Sequence, residues 1–201
     1  MIKNIVFDIG NVLTDFRWQG FLKDKGFDDE MVARIGKATV EGPYWKEFDR
    51  GGMSHDEILG LMAKEAPEIA DNIIKAFSDT HGMVTGRDYA IPWIKSLKEE
   101  GYRVYYLSNF SEKAARECSK ALGFISFCDG GILSCTVKII KPDHRIYELL
   151  CERFDLEPAE CVFLDDTEAN VTAAKECGFE AIVFTDKESA CAGLRSLGVR
   201  A

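Results

Sequence analysis

The sequence predicts an α/β fold in which a central parallel β-sheet lies between layers of helices. Short apolar runs rich in β-branched and aromatic residues recur along the chain, and each is followed by a segment of helical periodicity. Residues 15–85 show helical periodicity without a comparable apolar run, which predicts a small all-helical insertion after the first strand. The 201 residues are enough for one domain that carries such an insertion.

Four apolar runs are the predicted strands. Each is apolar at consecutive positions, which is typical of parallel strands that are buried on both faces. We therefore expect all four to be central strands of the sheet. They are Ile5-Val6-Phe7, Val104-Tyr105-Tyr106-Leu107, Cys161-Val162-Phe163-Leu164 and Ala181-Ile182-Val183-Phe184.

Helix boundaries are marked between these runs. Pro142 precedes apolar residues at helical spacing and indicates a helix start. Gly101 and Gly178 follow helical stretches, where a C-terminal cap is expected. Inside the insertion, the run from Ser54 to Glu57 has the pattern of a capping box.

These boundaries divide the chain into two parts. Residues 1–14 and 86–201 are expected to form the core, and residues 15–85 a helical cap that covers the site at the strand ends.

Composition and charge exclude several classes of protein. With 46% apolar and 29% charged residues the chain is an ordinary globular domain. Its 25 basic and 34 acidic residues give a net charge of -9, which disfavours nucleic acid as a partner. No apolar stretch is long enough to span a membrane, and the first run meets Asp8 too soon for a signal peptide, so a cytoplasmic location is expected. The seven cysteines contain no CxxC pair and are expected to be reduced thiols.

Polar residues end three of the predicted strands, where ligands of parallel α/β sheets bind. They are Asp8, Ser108-Asn109 and Asp165-Asp166. Any one of them alone is more typical of a turn or a helix cap. Converging carboxylates, however, repel one another unless a cation lies between them, and an all-oxygen set suits Mg²⁺. Lys141 could add the positive charge that a phosphate needs.

Four segments in order resemble the four motifs of the haloacid dehalogenase superfamily. The resemblance covers nearly the whole chain and implies a three-layer Rossmann-like core with a small cap. Within the superfamily, the sequence is most similar to sugar-phosphate phosphatases of the α-D-glucose-1-phosphate phosphatase type. The segments are Phe7-Asp8-Ile9-Gly10-Asn11-Val12-Leu13, Leu107-Ser108-Asn109, Lys141-Pro142-Asp143 and Phe163-Leu164-Asp165-Asp166.

The resemblance implies a nucleophile and a metal site. Asp8 would attack phosphorus and form an aspartyl-phosphate. Mg²⁺ would be held by Asp8, by the backbone carbonyl of Gly10 and by Asp165. Asp166 would support the metal through its waters.

The resemblance also implies contacts to the phosphoryl group. Ser108 and the Asn109 amide would hold the phosphoryl oxygens, and Lys141 would neutralise charge on both Asp8 and the phosphoryl group. The partner is then a small-molecule phosphate ester, and the protein a monomer or a homodimer.

One position departs from the family pattern. Most phosphatases of the superfamily have a second aspartate two residues after the nucleophile, which serves as general acid and base, and this chain has Gly10 there. General acid–base catalysis typically contributes about 10² to 10⁴-fold. The substrate could carry an easily expelled leaving group, as glucose 1-phosphate does, or another side chain such as Asp15, Glu47 or His55 could take the role.

Two alternative functions follow from the same glycine. The chain could be a phosphate-binding regulatory protein without turnover, although the clustered carboxylates and lysine favour catalysis. It could also be a 2-haloacid dehalogenase, but those enzymes generally have a tyrosine at this position and need no metal.

Substrate choice is expected to reside in the cap. Six aromatic and charged cap residues could contact a sugar, or could instead form the cap's own small core. They are Trp18, Tyr44, Trp45, Lys46, Glu47 and Arg50.

Overall fold

The computed structural model describes residues 1–201, which form seven strands and eleven α-helices. The strands are β1 (Asn4–Phe7), β2 (Thr14–Phe16), β3 (Val84–Gly86), β4 (Arg103–Ser108), β5 (Gly130–Leu133), β6 (Cys161–Asp165) and β7 (Glu180–Val183). The helices are α1 (Trp18–Asp24), α2 (Asp29–Ala38), α3 (Trp45–Arg50), α4 (His55–Glu65), α5 (Ala70–Phe77), α6 (Ala90–Glu99), α7 (Glu112–Glu117), α8 (Ser134–Val137), α9 (His144–Phe154), α10 (Glu168–Glu176) and α11 (Lys187–Ser196).

The main sheet has five parallel strands in the order β5-β4-β1-β6-β7. Strand β1 is central and all four of its residues are buried. Its side chains alternate between two apolar clusters, because Ile5 and Phe7 belong to one and Val6 to the other. The predicted parallel α/β fold, with helices packed on both faces of the sheet, is confirmed.

Two strand predictions need correction. Strand β7 lies at an edge of the sheet rather than in its centre, and Val183 is 44% exposed there. Strand β5, at the opposite edge, was not predicted. Its first two residues, Gly130 and Gly131, interrupt the apolar pattern, and a side chain at Gly130 would collide with the ring of Phe154. Gly130, which makes this strand difficult to predict from the sequence, is therefore required by the packing of Phe154 at the end of α9.

The predicted helix boundaries agree with the structure. Gly101 and Gly178 both follow helices and have φ of 89°, a left-handed conformation that glycine adopts without strain. Ser54 and Glu57 form both hydrogen bonds of a capping box at the start of α4. Helix α9 begins two residues after Pro142, with the side chain of Asp143 as its N-cap.

The insertion contains five helices, α1 to α5, as its periodicity indicates. Strands β2 and β3, however, pair antiparallel at its two ends, so that the expected boundaries after residue 14 and before residue 86 fall inside this small ribbon. The description as all-helical therefore applies to residues 18–77 only. Three-residue strands are too short to give a recognisable alternation, which explains why they were missed.

Buried and charged contacts attach the insertion to the core. The Arg87 guanidinium donates to Asp15 Oδ1 at 2.7 Å beside the ribbon. After α5, the backbone N–H and the hydroxyl of Thr80 both donate to Glu117 Oε2 at 2.7 Å. Hydrogen bonds from Lys113 and Thr80 hold the pKa of Glu117 near 2 against the opposing effect of its burial. The apolar side chains of the insertion also share one continuous cluster with Phe7 of the central strand.

Two further sequence expectations can be compared with the structure. All seven cysteines are free, and four of them are buried. None of the helices is long and apolar enough to cross a membrane.

Candidate active site

The polar residues predicted at the strand ends lie together at one edge of the sheet. Asp8 directly follows β1, Ser108 ends β4 and Asp165 ends β6, and these three strands are neighbours. Carboxylate oxygens of Asp8, Asp165 and Asp166 lie within 4.8 Å of one another. The topology thus concentrates three negative charges at the centre of the sheet's carboxyl edge.

Lys141 provides the opposing charge. Its ammonium is almost fully buried and lies 2.7 Å from Asp8 Oδ1 and 2.6 Å from Asp165 Oδ2. Asn109 fixes the lysine backbone, since its Oδ1 accepts from Lys141 N at 2.8 Å and its Nδ2 donates to Lys141 O at 3.0 Å. The side-chain amide of Asn109 is therefore occupied, and the phosphoryl contact expected from this residue is left to its backbone N–H.

Burial and charge set the protonation of this cluster. Burial raises the pKa of Asp8 to about 6, with Asp165 acting in the same direction and with Lys141 and Ser108 opposing. Burial alone would lower the pKa of Lys141, but Asp8 and Asp165 together raise it above its ordinary value. The lysine is therefore charged at neutral pH, and Asp8 is ionised above about pH 6.

The two neighbouring aspartates at the end of β6 have different surroundings. Asp165 is completely buried, and besides Lys141 it accepts from the Thr167 N–H at 2.8 Å and from Asn170 Nδ2 at 3.0 Å. Asp166 instead lines the open cavity in front of Asp8, and its one short side-chain contact is from Asn11 Nδ2 at 2.8 Å. The resemblance predicts that Asp165 contacts the metal and that Asp166 supports it, and of these two residues Asp166 alone lines the cavity.

A cavity of about 200 Å³ opens between Asp8 and the cap. Among the six cap residues considered for substrate contact, Trp45 alone lines it. The Trp45 ring also lies 5.8 Å, between centroids, from the rings of both Phe16 and Phe77, so it belongs to the cap core as well. The apolar wall of the cavity consists of Phe16, Trp45, Met83, Val84, Phe110 and Ala114, most of which sequence analysis did not single out.

None of the three residues considered as replacements for the absent acid lines this cavity. Asp15 is paired with Arg87 beside the β2–β3 ribbon. Glu47 is paired with Arg50 on the surface of α3. The His55 ring contacts the carbonyl of Phe77 at 2.9 Å and faces a different cleft.

Asp49, on α3, lines the cavity together with Asp8 and Gly10. Burial and the charge of Asp8 raise the pKa of Asp49 to about 7, with Lys141 opposing. Its carboxylate makes no hydrogen bond or ion pair in the structure. Sequence reasoning missed this residue because the phase of a six-residue helix cannot be read from its apolar pattern.

Comparisons with known proteins agree with this arrangement. The family model of haloacid dehalogenase-like hydrolases matches residues 2–178. The sesquiterpene phosphatase astK of Aspergillus oryzae is 25% identical over 195 residues, which cover 97% of this chain and 96% of that protein. The D-ribitol-5-phosphate phosphatase of Bacteroides thetaiotaomicron is 31% identical over 196 residues, with 90% of each chain covered. Haloacid dehalogenases also match, over 63% and 44% of this chain.

A solved structure shows the shared fold. A haloacid dehalogenase family enzyme from Bacteroides thetaiotaomicron, in complex with magnesium and inorganic phosphate, superposes with a TM-score of 0.71. It is 21% identical, and the match covers 94% of this chain and 99% of that one. Some other relatives are much longer, and this chain spans 19% to 35% of their length.

The buried lysine gives a prediction about stability. We expect Lys141→Met to lower the free energy of unfolding by about 3–5 kcal/mol at pH 8 in EDTA, because two buried carboxylates lose their only cation. Lys141 opposes the rise in the pKa of Asp8, so without the ammonium that pKa lies further above its unfolded value. Stability therefore falls as pH increases through it, and the loss is smaller at pH 5. Urea unfolding at both pH values measures this.

The control for this experiment is Lys120→Met, which removes an exposed lysine without an ion pair. We expect its unfolding free energy to stay within about 0.5 kcal/mol of the parent. A Lys141→Met protein as stable as the parent at pH 8 would contradict the assigned charge balance.

Proposed function

The chain belongs to the haloacid dehalogenase-like hydrolase family, and we propose that within it the protein is a magnesium-dependent phosphatase acting on a small phosphate monoester. One observation carries the proposal. A buried ammonium, Lys141, bridges two carboxylates at the ends of adjacent parallel strands, while Asp8 and Asp166 line the cavity between the core and the cap. The phosphatases among the relatives support this reaction.

The donor set fits Mg²⁺. Three carboxylates within 4.8 Å of one another face a single lysine, so the cluster carries excess negative charge, and all its ligand atoms are oxygens. Asp8 and Asp166 line the cavity and would hold the ion directly, with the Gly10 carbonyl as the third protein ligand. Asp165, whose oxygens are already hydrogen-bonded, would position Lys141. Bound Mg²⁺ would supply charge neutralisation for the carboxylates and for a phosphoryl group.

Asp8 is the nucleophile in this proposal. It is ionised above about pH 6 and is held in place by Lys141 on one oxygen. Its carboxylate attacks phosphorus, the bond to the leaving oxygen breaks, and an aspartyl-phosphate forms on Asp8. Water then attacks phosphorus and releases inorganic phosphate together with the free carboxylate.

Residues around Asp8 hold the transferred group. The Lys141 ammonium neutralises charge that would otherwise repel a phosphate dianion from Asp8. Ser108, buried at the end of β4 beside Asp8, and the backbone N–H of Asn109 would donate to phosphoryl oxygens. Each of these donors belongs either to a buried side chain or to the backbone at the end of a strand, so it is already in position before substrate binds.

The cavity suits a leaving group without a second charge. No lysine or arginine lines it, and about half of its wall is apolar or aromatic. A sugar or sugar alcohol could place its C–H face against Trp45 and its hydroxyls toward Asn11 and Ser111. We therefore propose a sugar phosphate such as glucose 1-phosphate, and the ribitol-phosphate phosphatase among the relatives supports this class.

Neither alternative is favoured by the site. A dehalogenase that works without metal has no use for Asp166, the carboxylate that faces the cavity beside Asp8. A regulatory protein without turnover would not need the buried ion pairs of Lys141 with Asp8 and Asp165, which are costly to desolvate.

Hydrolysis of p-nitrophenyl phosphate, glucose 1-phosphate and glucose 6-phosphate provides the test of the reaction. We expect phosphate release that requires Mg²⁺, is abolished by a chelator and falls at least about 10³-fold in Asp8→Asn, because the amide cannot act as the nucleophile. The proposal would be refuted if Asp8→Asn released phosphate as fast as the parent does, or if the parent released it equally fast with Mg²⁺ and with chelator.

The metal assignment has a separate test. We expect Asp166→Asn to raise the Mg²⁺ concentration for half-maximal activity by at least about tenfold, because it removes a charged ligand. Asp15→Asn, which lies outside the cavity, serves as the control and should leave that concentration unchanged. An unaltered Mg²⁺ requirement in Asp166→Asn would return the direct contact to Asp165.

A further inference from the structure

Hydrolysis of an alkyl phosphate needs a proton at the leaving oxygen. The position that follows the nucleophile by two residues is Gly10, which has no side chain to donate one. The core part of the cavity contributes no other carboxylate for this role, since Asp166 accepts from Asn11 and belongs to the cluster that would hold the metal. The donor must therefore come from the opposite wall, which belongs to the cap.

We propose that Asp49 is the general acid that protonates the leaving oxygen, and the general base for the water that follows, in place of the carboxylate absent at Gly10. This inference rests on the proposed phosphatase function. It assigns the role to a cap residue on α3 that shares the cavity with Asp8.

The direction of the reaction places the leaving group near Asp49. In phosphoryl transfer the attacking and leaving oxygens lie roughly in line with phosphorus. With Asp8 attacking from the strand ends, the leaving oxygen points away from the sheet and toward the cap. Asp49 is the single carboxylate that the cap contributes to this cavity.

Hydrogen bonds fix Asp49 relative to the core. The backbone carbonyl of Asp49 accepts from Ser134 Oγ at 2.6 Å. Ser134 Oγ in turn accepts from the backbone N–H of Phe110 at 2.9 Å. Ser134 is fully buried, and Phe110 itself lines the cavity. The helix carrying Asp49 is therefore tied to the loop after β4, two residues from Ser108.

The side chain of Asp49 is uncommitted, as a proton donor requires. It makes no hydrogen bond or ion pair, whereas Glu47 on the same helix is paired with Arg50. The ionisable groups that influence it are Asp8 and Lys141, and burial is the largest of the effects that favour its protonated form. A carboxyl group kept protonated near neutral pH is suited to donate and then recover a proton.

The proton balance closes over one turnover. The protonated Asp49 carboxyl transfers its proton to the leaving oxygen as the bond to phosphorus breaks, so the product leaves as a neutral alcohol. The Asp49 carboxylate then takes a proton from the water that attacks the aspartyl-phosphate. Inorganic phosphate and the Asp8 carboxylate are released, and Asp49 is protonated again.

The leaving group provides the test, because p-nitrophenolate departs as a stable anion without protonation, whereas an alkoxide needs a proton to leave. For Asp49→Asn we expect kcat/KM with the best alkyl phosphate, such as glucose 6-phosphate, to fall by at least about 10²-fold, and kcat/KM with p-nitrophenyl phosphate by less than about tenfold. Asp49→Ser is a second variant without the carboxyl group, and Asp49→Glu should restore part of the alkyl phosphate activity. Glu47→Gln, on the same helix, should leave both values unchanged.

Three outcomes would overturn the inference: an equal fall with both substrates, no fall with the alkyl phosphate, or a parent enzyme that hydrolyses p-nitrophenyl phosphate but no alkyl phosphate. Failure of the proposed function would be seen separately. In that case the parent shows no Mg²⁺-dependent hydrolysis, or Asp8→Asn retains it.

Discussion

The buried ion pairs of Lys141 with Asp8 and Asp165 are the interaction on which the rest of the site depends. They join the loop after α8 to the ends of two adjacent strands, β1 and β6, at distances of 2.6 to 2.7 Å. Isolated charges of this kind would be very unfavourable in a protein interior. Hydrogen bonds from the surrounding structure stabilise the ion pairs: Asn109 accepts from the backbone N–H of Lys141, and Asn170 donates to Asp165.

This cluster contains more negative than positive charge. One ammonium faces three carboxylates, and the carboxylate with the fewest protein contacts, Asp166, is the one that lines the cavity. In the proposed function, such a site would gain stability from Mg²⁺ and, with that cation bound, from a phosphate. The net charge of -9 would then be no obstacle to binding an anionic substrate, because such a substrate would experience the local field of the site rather than the total charge.

The cap completes the site from the other side. Its helices pack in one apolar cluster with the core, and the β2–β3 ribbon and the contact between Thr80 and Glu117 attach its two ends. Trp45 and Asp49 are four residues apart on α3, so both lie on one face of that helix and reach the same cavity. Substrate selection and proton transfer are thus proposed to reside on a single short helix.

Sequence analysis predicted the features that depend on consecutive residues. The apolar runs identified four of the five strands of the main sheet, and the polar residues at their ends identified Asp8, Ser108 and Asp165. It missed β5, where packing against Phe154 requires a glycine, and it missed Asn11, whose partner Asp166 is distant in the chain. Asp49 was missed for the same reason, because only the three-dimensional structure shows which cap residue faces Asp8.

The most direct test of the central claim is to trap the covalent intermediate. Parent enzyme is mixed with p-nitrophenyl phosphate and Mg²⁺, quenched in acid within one turnover, and reduced with borohydride before peptide mass spectrometry. An acyl phosphate at Asp8 predicts that this residue is converted to homoserine. Release of p-nitrophenol without modification of Asp8, or with modification of another carboxylate, would contradict the account.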